Sequence, residues 1–247
     1  MLSSYIRSLP VIVGKNIRIY YTKPPVMIFG LLFPLFMFLA FFVGRQFDLR
    51  LFFPGFLAMT LFFAASSVGP LITPWEKRDK TYERLLSYPV TLECIIIGDI
   101  LSGALFGLVI TTIVWLVSAW FLHITVVNGG FFVAAFIFGT VTFAGFGSLL
   151  AAPASNTPPN IMMLTSLTRF PQIFISGIFI PLGELTGWVK VLSYISPLTY
   201  LVDLFHAGIT GVSVFNPVWD ITVLVIAILL FFFLARFIQM RNLMKGL

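Results

Sequence analysis

Long stretches without a charged side chain constrain this chain more than any other feature. Residues 26–44, 51–75 and 124–168 contain no Asp, Glu, Lys or Arg. A helix needs about 20 such apolar residues to cross the hydrocarbon layer of a bilayer. Only 10% of the 247 residues are charged and 59% are apolar, against about 25% and about 45–50% in soluble domains. The pattern predicts an all-α polytopic membrane protein and excludes a soluble enzyme.

The uncharged stretches divide into six predicted transmembrane helices. The stretch 124–168 is too long for one helix, and the polar, proline-containing segment from Ala154 to Asn160 breaks it in two. Two shorter apolar runs follow the fifth span. Their proline, glycine and Asp203 interruptions favour short re-entrant or external helices at 183–217, with one extra crossing as the alternative. The predicted spans are residues 26–44, 51–74, 98–122, 130–152, 161–182 and 218–237.

The basic side chains predict the orientation of these spans. Eleven of the 15 Lys and Arg residues fall before the first span, in the loop 75–92, or at and after the end of the last span. Basic loops stay in the cytoplasm. We therefore expect a multi-pass protein of the cell membrane with both termini, including the tail 238–247, in the cytoplasm. Anionic lipid headgroups account for the net charge of +6 without a nucleic-acid partner.

Residues 1–25 precede the first span and show helical periodicity. At 100° per residue, one stripe contains six apolar side chains: Leu2, Ile6, Leu9, Val13, Ile17 and Tyr20. The basic residues lie on the opposite side: Arg7, Lys15 and Arg18. This pattern predicts an amphipathic, cytosolic interfacial helix whose apolar stripe enters the lipid boundary. Such a helix serves either as a topology anchor or as a lever that slides along the membrane.

The loop 75–92 between the second and third spans carries seven charged residues from Glu76 to Arg84. Thr73 and Glu76 have the spacing of a capping box, and Pro74 suits the first helical position. Pro89 ends the predicted helix about four turns later. Mixed charges beside aromatic and leucine side chains are suited to docking into a groove of a soluble partner, and a solvated loop is the alternative.

Two charges are predicted inside the membrane. Arg169 lies within the fifth span and Asp99 lies near the cytosolic end of the third, at a similar depth. An arginine in a bilayer costs at least about 2.5 kcal/mol and normally faces a partner or a water-filled cavity. We expect Arg169 to pair with Asp99, or else with Glu93, either on the translocation path or as a packing contact. Glu184 and Asp203 are candidates for an external vestibule or for a solvated rim.

No catalytic or metal site is predicted. His123, His206 and the single Cys94 are isolated and form no recognisable spacing of metal ligands. We find no Ser-His-Asp arrangement or paired carboxylates with a plausible pocket. The chain also lacks a G-x-x-x-x-G-K-[ST] phosphate loop. We therefore expect no cofactor in this chain, and we expect ATP to be bound elsewhere if the chain depends on it.

Two strings of residues resemble one known family. The first is Glu76-x-Arg78-x-x-Thr81-x-Glu83-x-Leu85-Leu86, followed by Pro89-Val90. The second consists of residues 176–182, Gly187-Trp188 and Ser196-Pro197-Leu198-Thr199-Tyr200. In this order they resemble the type-2 ATP-binding-cassette (ABC) exporter permeases, in the drug-resistance branch typified by daunorubicin exporters. That family usually has glycine where this chain has Lys80, and Lys80 favours a helix more than glycine would.

The resemblance implies the permease subunit of an exporter. It implies a second permease subunit, most simply the same chain, and two cytosolic ABC ATPase subunits that bind ATP and magnesium. The loop 75–92 would be the coupling helix, and its ATPase contacts would be Glu76, Arg78, Lys80, Thr81, Glu83 and Arg84. The expected substrate is a hydrophobic or amphipathic drug, lipid or lipid-linked molecule. The alternative is a self-contained secondary transporter or channel, which would usually carry more ionisable groups near the midplane.

Overall fold

The computed structural model describes residues 2–42, 49–88, 90–153 and 157–244, with side chains within 8–40, 52–88, 90–153 and 157–244. Over these residues the regular structure is helical, without β-strands. The α-helices are α1 (Leu2–Tyr20), α2 (Pro24–Met27), α3 (Phe33–Phe42), α4 (Leu49–Arg78), α5 (Thr81–Ser87), α6 (Leu92–Leu122), α7 (Gly129–Ala151), α8 (Pro158–Ile175), α9 (Gly187–Ile195), α10 (Pro197–Ile209) and α11 (Pro217–Met244). A π-helical turn, Ile28–Leu32, joins α2 to α3, and a 3₁₀ turn, Leu182–Glu184, precedes α9.

Among the described residues, four helices are long and apolar enough to cross a membrane: α4, α6, α7 and α11. A fifth crossing is obtained if Ser8–Tyr20 and Pro24–Ala40, which are bent by 87° relative to each other, form one span. Helix α8 is not among these candidates, because polar side chains and Arg169 lower the hydropathy of its 18 residues. The chain is therefore a multi-pass helical membrane protein with four or five candidate spans. The predicted span 161–182 stays a prediction.

The helix boundaries differ from the predicted spans at several places. Helix α4 continues to Arg78, beyond residue 74, and α6 begins at Leu92 and not at residue 98. Helix α8 ends at Ile175, before residue 182, and Gly177 then takes a left-handed φ of 81° that turns the chain. Several residues that the predictions used lie outside the described ones: Gly44, Arg45, Pro89, residues 154–156 and Lys245.

Helix α4 lies at the centre of the bundle, and every residue from 53 to 74 is buried. It packs against α6, α7 and α10, and glycines let the backbones approach closely. A Cβ atom on Gly69 would lie 2.7 Å from backbone atoms of Gly147 and Ser148 in α7. A Cβ atom on Gly107 of α6 would lie 2.6 Å from that of Ala65. Such small residues are typical of tightly packed membrane helices.

Helix α4 continues through three prolines, Pro54, Pro70 and Pro74. The predicted capping box at Thr73 and the predicted helix start at Pro74 are therefore wrong, since both residues lie in the last turns of α4. A proline inside a helix leaves the carbonyl four residues earlier without its N–H donor. Membrane helices tolerate this where a neighbouring group supplies a hydrogen bond. The guanidinium of Arg169 donates to the carbonyl of Ser66, four residues before Pro70.

Contacts made by the segments between the long helices define two ends of the bundle. At the end we call the α5 end, Ile12 of α1, Tyr82 of α5 and Leu243 of α11 share one apolar cluster. At the opposite end, which we call the α10 end, the N–H groups of Val127 and Asn128 donate to the carbonyl of Gly208 at 3.0 and 2.9 Å. The middle of α1 and the last turns of α11 therefore lie on the same side of the bundle, where α4 meets α5.

Short helices form where the sequence predicts them between α8 and α11. Helix α10 is almost completely buried and runs antiparallel to α7, because Leu201 approaches Gly139 and Gly208 approaches Phe132. Helix α9 exposes several large apolar side chains, among them Trp188 and Ile195. The depth of these two helices in a membrane, and so their re-entrant or external character, stays a prediction.

Candidate coupling site

The predicted loop helix consists of two pieces separated by a tight turn. The last turns of α4 reach Arg78, and α5 then runs for seven residues from Thr81. In the turn, the N–H of Asp79 donates to the carbonyl of Trp75 at 2.9 Å, and that of Lys80 to the carbonyl of Lys77 at 3.2 Å. The predicted single helix of about four turns is therefore wrong. Instead, the chain changes direction before α5 and projects it as a separate element.

Lys80 occupies the position where the chain turns. Its φ of 55° and ψ of 21° lie in the left-handed region, which favours glycine because any Cβ adds steric cost there. The expectation that Lys80 continues a helix is therefore wrong. The glycine usual in the family that the loop resembles would suit this conformation better than lysine does.

Replacing Lys80 with glycine is expected to stabilise the turn by about 0.5 kcal/mol, because the steric cost of the left-handed conformation outweighs the entropy that glycine loses on folding. The measurement is the denaturant midpoint of the purified chain in detergent. Lys77→Gly provides the matched control, since Lys77 lies in helical backbone and glycine there costs about 1 kcal/mol. Equal shifts of the same sign in both variants would contradict the left-handed assignment.

The inner face of α5 is apolar and packs on three other helices. Tyr82 is buried in a cluster with Ile12 of α1 and with Cys94 and Ile95 of α6, and Leu243 of α11 lies at its edge. Burial raises the pKa of the Tyr82 phenol, so its hydroxyl stays protonated. That hydroxyl donates to Oε1 of Gln239 in α11 at 3.4 Å. Tyr82 thus links α5 to α1, α6 and α11, and the chain itself links α5 to α4.

The outer face of α5 and its turn is charged and exposed. Five of the six residues predicted to contact a partner share this surface, which we call the outer charged face: Arg78, Lys80, Thr81, Glu83 and Arg84. Arg78 forms an exposed ion pair with Asp79 at 2.9 Å and lies 5.4 Å from the ring centroid of Trp75. The face presents both signs of charge, which suits a partner with complementary charges.

Glu76, the sixth predicted contact residue, does not belong to this surface. Its side chain is buried and forms an ion pair with Lys15 of α1. The Glu76 carbonyl accepts a hydrogen bond from the hydroxyl of Thr81 at 3.3 Å. The predicted contact of Glu76 with a partner stays a prediction, and within this chain the carboxylate faces Lys15. Glu76 ties the end of α4 to α1 and to the start of α5.

Helix α1 is held by protein contacts that the sequence analysis missed. Asn16 is fully buried and donates to Oδ1 of Asp99 at 2.9 Å and to Oγ of Ser102 at 3.1 Å, both in α6. The buried side chains Ile12, Asn16 and Tyr20 are four residues apart and form one face. This face is rotated by roughly 60° from the predicted apolar stripe, at 100° per residue. The four-residue spacing could have predicted this face. A search for an apolar stripe missed it because Asn16 is polar.

The ion pair between Lys15 and Glu76 is expected to stabilise the α5 end. Lys15→Met leaves Glu76 buried without its partner and should cost about 2 kcal/mol, below the cost for a fully buried pair because Lys15 is 26% exposed. The charge swap Lys15→Glu with Glu76→Lys should recover part of that loss, as measured by denaturant unfolding in detergent. The control Arg78→Met breaks an exposed pair and should cost under about 0.5 kcal/mol. Equal losses in both Met variants would contradict the assignment.

The predicted ion pair between Asp99 and Arg169 is wrong. Asp99 accepts its hydrogen bond from Asn16 of α1 at 2.9 Å, whereas Arg169 faces the backbone of α4. Glu93, the second predicted partner, is paired with Arg236 of α11 at 2.8 Å. Asp99 and Arg169 were predicted at similar depths, but they do not meet, because Asp99 lies on the face of α6 that packs against α1.

The two predicted vestibule residues at the α10 end have different surroundings. Glu184 is exposed, whereas Asp203 is only 2% exposed. The Asp203 carboxylate accepts N–H bonds from Val214 at 2.8 Å and from Phe215 at 2.7 Å. It borders a cavity of about 130 Å³ together with His206. These bonds occupy both carboxylate oxygens, so Asp203 shapes the loop before α11 and does not form a solvated rim.

The sequence from α1 to α10, which includes this site, matches a known family. A family model described as "ABC-2 type transporter" matches residues 7–210, from α1 through the end of α10. This chain belongs to the ABC-2 type transporter family. The match includes α5 with its outer charged face, and it also includes the short helices α9 and α10.

Two of the relatives to which this chain is similar are named as permeases. The chain is 27% identical over 156 residues to the inner membrane transport permease YadH of Escherichia coli (strain K12), covering 63% of this chain and 60% of YadH. It is 24% identical over 177 residues to the probable multidrug ABC transporter permease YbhR of the same strain, covering 69% and 48%. It is 25% identical over 180 residues to Nodulation protein J of Neorhizobium galegae, covering 68% and 62%. The match thus spans less than two thirds of each relative.

Proposed function

We propose that this chain is the permease subunit of an ATP-driven exporter, and that a separate ABC ATPase energises it through α5. The observation that carries the proposal is the outer charged face of α5, which lies on a helix packed against α1, α6 and α11. A soluble partner that moves this face would move all three helices and α4 at once. In this arrangement ATP and magnesium belong to the ATPase, and this chain performs no catalysis.

The orientation and assembly are part of the same proposal. The α5 end carries basic residues of α1, of the turn after α4 and of the end of α11, among them Lys15, Lys80 and Arg241. Because basic segments are retained in the cytoplasm, we place this end and both termini there. Two permease subunits, most simply identical, would each receive one ATPase subunit.

The proposed substrate is a hydrophobic or amphipathic molecule such as a drug, lipid or lipid-linked compound. Few charged side chains lie along the candidate spans, which disfavours a small, highly charged ion. The relative YbhR is named as a probable multidrug permease, and this supports the same class of substrate for this chain.

Association with an ATPase tests the proposal directly. The chain is co-expressed with a cytosolic ABC ATPase encoded beside its gene, purified through a tag on the permease, and reconstituted in liposomes. We expect the two proteins to co-purify and to move an amphipathic dye across the membrane only when ATP is supplied on the α5 side. Co-purification without ATP-dependent movement, or movement driven by an ion gradient alone, would contradict the proposal.

A further inference from the structure

Arg169 is a buried cation deep in the bundle. It is 3% exposed and lies on α8 against the middle of α4. Ser66, whose carbonyl accepts its hydrogen bond, is roughly 18 Å along α4 from Arg78 at the α5 end, at 1.5 Å per residue. Arg169 also lies 5.9 Å from the ring centroid of Phe63. The guanidinium is therefore far from either aqueous end of the bundle.

The hydrogen bond to α4 explains only part of the role of the Arg169 side chain. Pro70 leaves the Ser66 carbonyl without its helical donor, and Arg169 supplies one N–H. A neutral donor such as a glutamine amide would serve a neutral carbonyl equally well. The Nε atom of Arg169 is buried and has no hydrogen-bond partner. The Ser66 carbonyl alone therefore does not explain why a positively charged side chain lies inside the membrane.

No carboxylate among the described residues neutralises Arg169. The ion pairs found there join Glu76 to Lys15, Asp79 to Arg78 and Glu93 to Arg236. Asp99 bonds to Asn16, and Asp203 is held by backbone N–H groups. The buried Asp220 lies in the first turn of α11 and forms no ion pair with Arg169. Buried charges are normally paired with an opposite charge. The counter-charge of Arg169 is therefore expected to come from a bound molecule.

The surroundings of Arg169 suit an anion attached to an apolar body. It borders a small cavity of about 10 Å³ with the hydroxyl residues Ser67, Thr165 and Ser166 and with apolar neighbours. Two of these neighbours, Phe29 and Met162, are only partly buried, so the cavity lies near the bundle surface between α8 and the segment before α3. The three hydroxyls donate to carbonyls of their own helices, so the guanidinium of Arg169, whose Nε has no partner, is the donor that this cavity offers to an anion.

We propose that Arg169 binds the anionic group of the exported substrate, so that this permease prefers amphipathic organic anions carrying a carboxylate or a phosphate. This inference rests on the proposed function, because it names the class of molecule that the permease carries. Arginine suits the task because its planar N–H fork matches the oxygens of both groups.

The test uses three probes with the same 12-carbon chain: dodecyl phosphate, dodecanol and dodecyltrimethylammonium. Stimulation of ATP hydrolysis by the permease–ATPase complex is measured in nanodiscs of phosphatidylcholine. We expect dodecyl phosphate to stimulate at the lowest concentration. In Arg169→Met its half-maximal concentration should rise at least about tenfold, because truncation removes a charge-assisted contact. Arg169→Lys should keep part of the preference, and Arg241→Met, which alters an exposed arginine of α11, should keep all of it.

The outcomes separate this inference from the proposed function. If the complex hydrolyses ATP and responds equally to all three probes, or prefers the cation, the anion site is wrong and the exporter assignment stands. Failure of any ATPase to associate overturns the exporter assignment itself. Adding phosphatidylglycerol distinguishes the source of the anion: if that lipid alone stimulates the wild type but not Arg169→Met, Arg169 binds a lipid headgroup. The wild-type probe comparison needs no variant, so a misfolded Arg169→Met leaves the inference falsifiable.

Discussion

Glu83→Arg is expected to abolish substrate-stimulated ATP hydrolysis and to lower export at least about tenfold, while the chain still inserts and folds. Glu83 is exposed on the outer charged face and contributes nothing to the apolar cluster beneath α5. Reversing its charge places like charges against a partner that complements this face, and such contacts cost several kcal/mol. A loss of 1.4 kcal/mol already corresponds to a factor of ten. The measurement is ATP-dependent dye export by the reconstituted complex.

The matched control for this substitution is Glu184→Arg. Glu184 is also exposed, but it lies in the 3₁₀ turn before α9, outside the α5 end. Its reversal makes the same change in net charge and should leave export within about twofold of the wild type. Normal export by Glu83→Arg, or an equal loss in both variants, would show that the outer charged face does not couple the ATPase to the permease.

Gly69→Ala is expected to destabilise the fold by about 2–3 kcal/mol, because the added methyl group meets the backbone of a neighbouring helix. The new Cβ would lie 2.7 Å from backbone atoms of Gly147 and Ser148. Backbone atoms in the centre of two packed helices cannot move aside as a flexible side chain would, so α4 and α7 have to separate. The denaturant midpoint and the monodisperse fraction after detergent extraction measure the effect.

Gly145→Ala provides the control on the partner helix α7. The nearest atom to its added Cβ is the Cβ of Phe231 at 3.6 Å, an ordinary contact. We expect this variant to match the wild type or to gain up to about 1 kcal/mol from the better helix propensity of alanine. If Gly145→Ala were the more destabilising of the two, the close crossing of α4 and α7 at Gly69 would be wrong.

The sequence predicted the membrane character, the exposed charged segment and the short helices after α8, because each follows from local composition. It failed at Thr73 and Pro74, where helix-start signals that hold in water lie inside a membrane helix. The reason is tertiary: neighbouring helices can supply hydrogen bonds to carbonyls that prolines leave free. Arg169 does so for the Ser66 carbonyl, and no pattern in a single sequence connects residues so distant along the chain.

The polar contacts of the site also divide into those that the local sequence predicts and those that depend on the tertiary fold. Charge alone predicts that four side chains are exposed: Arg78, Lys80, Glu83 and Arg84. That Glu76 would turn inward to Lys15, and that Asp99 would meet Asn16, depends on how α1 lies across α6. The bend of 87° between α1 and the following segment sets that position. Helix periodicity predicted a face for α1, but the neighbour against which the face packs is a property of the fold.

The most direct test of the central claim is a photo-crosslink from α5 to the ATPase. A photoreactive amino acid is placed at position 83 on the outer charged face, or at position 188 in α9, where Trp188 is 73% exposed. The assembled complex is then irradiated. We expect a permease–ATPase product from position 83 and none from position 188. A product from position 188, or none from position 83 in a complex that co-purifies, would contradict coupling through α5.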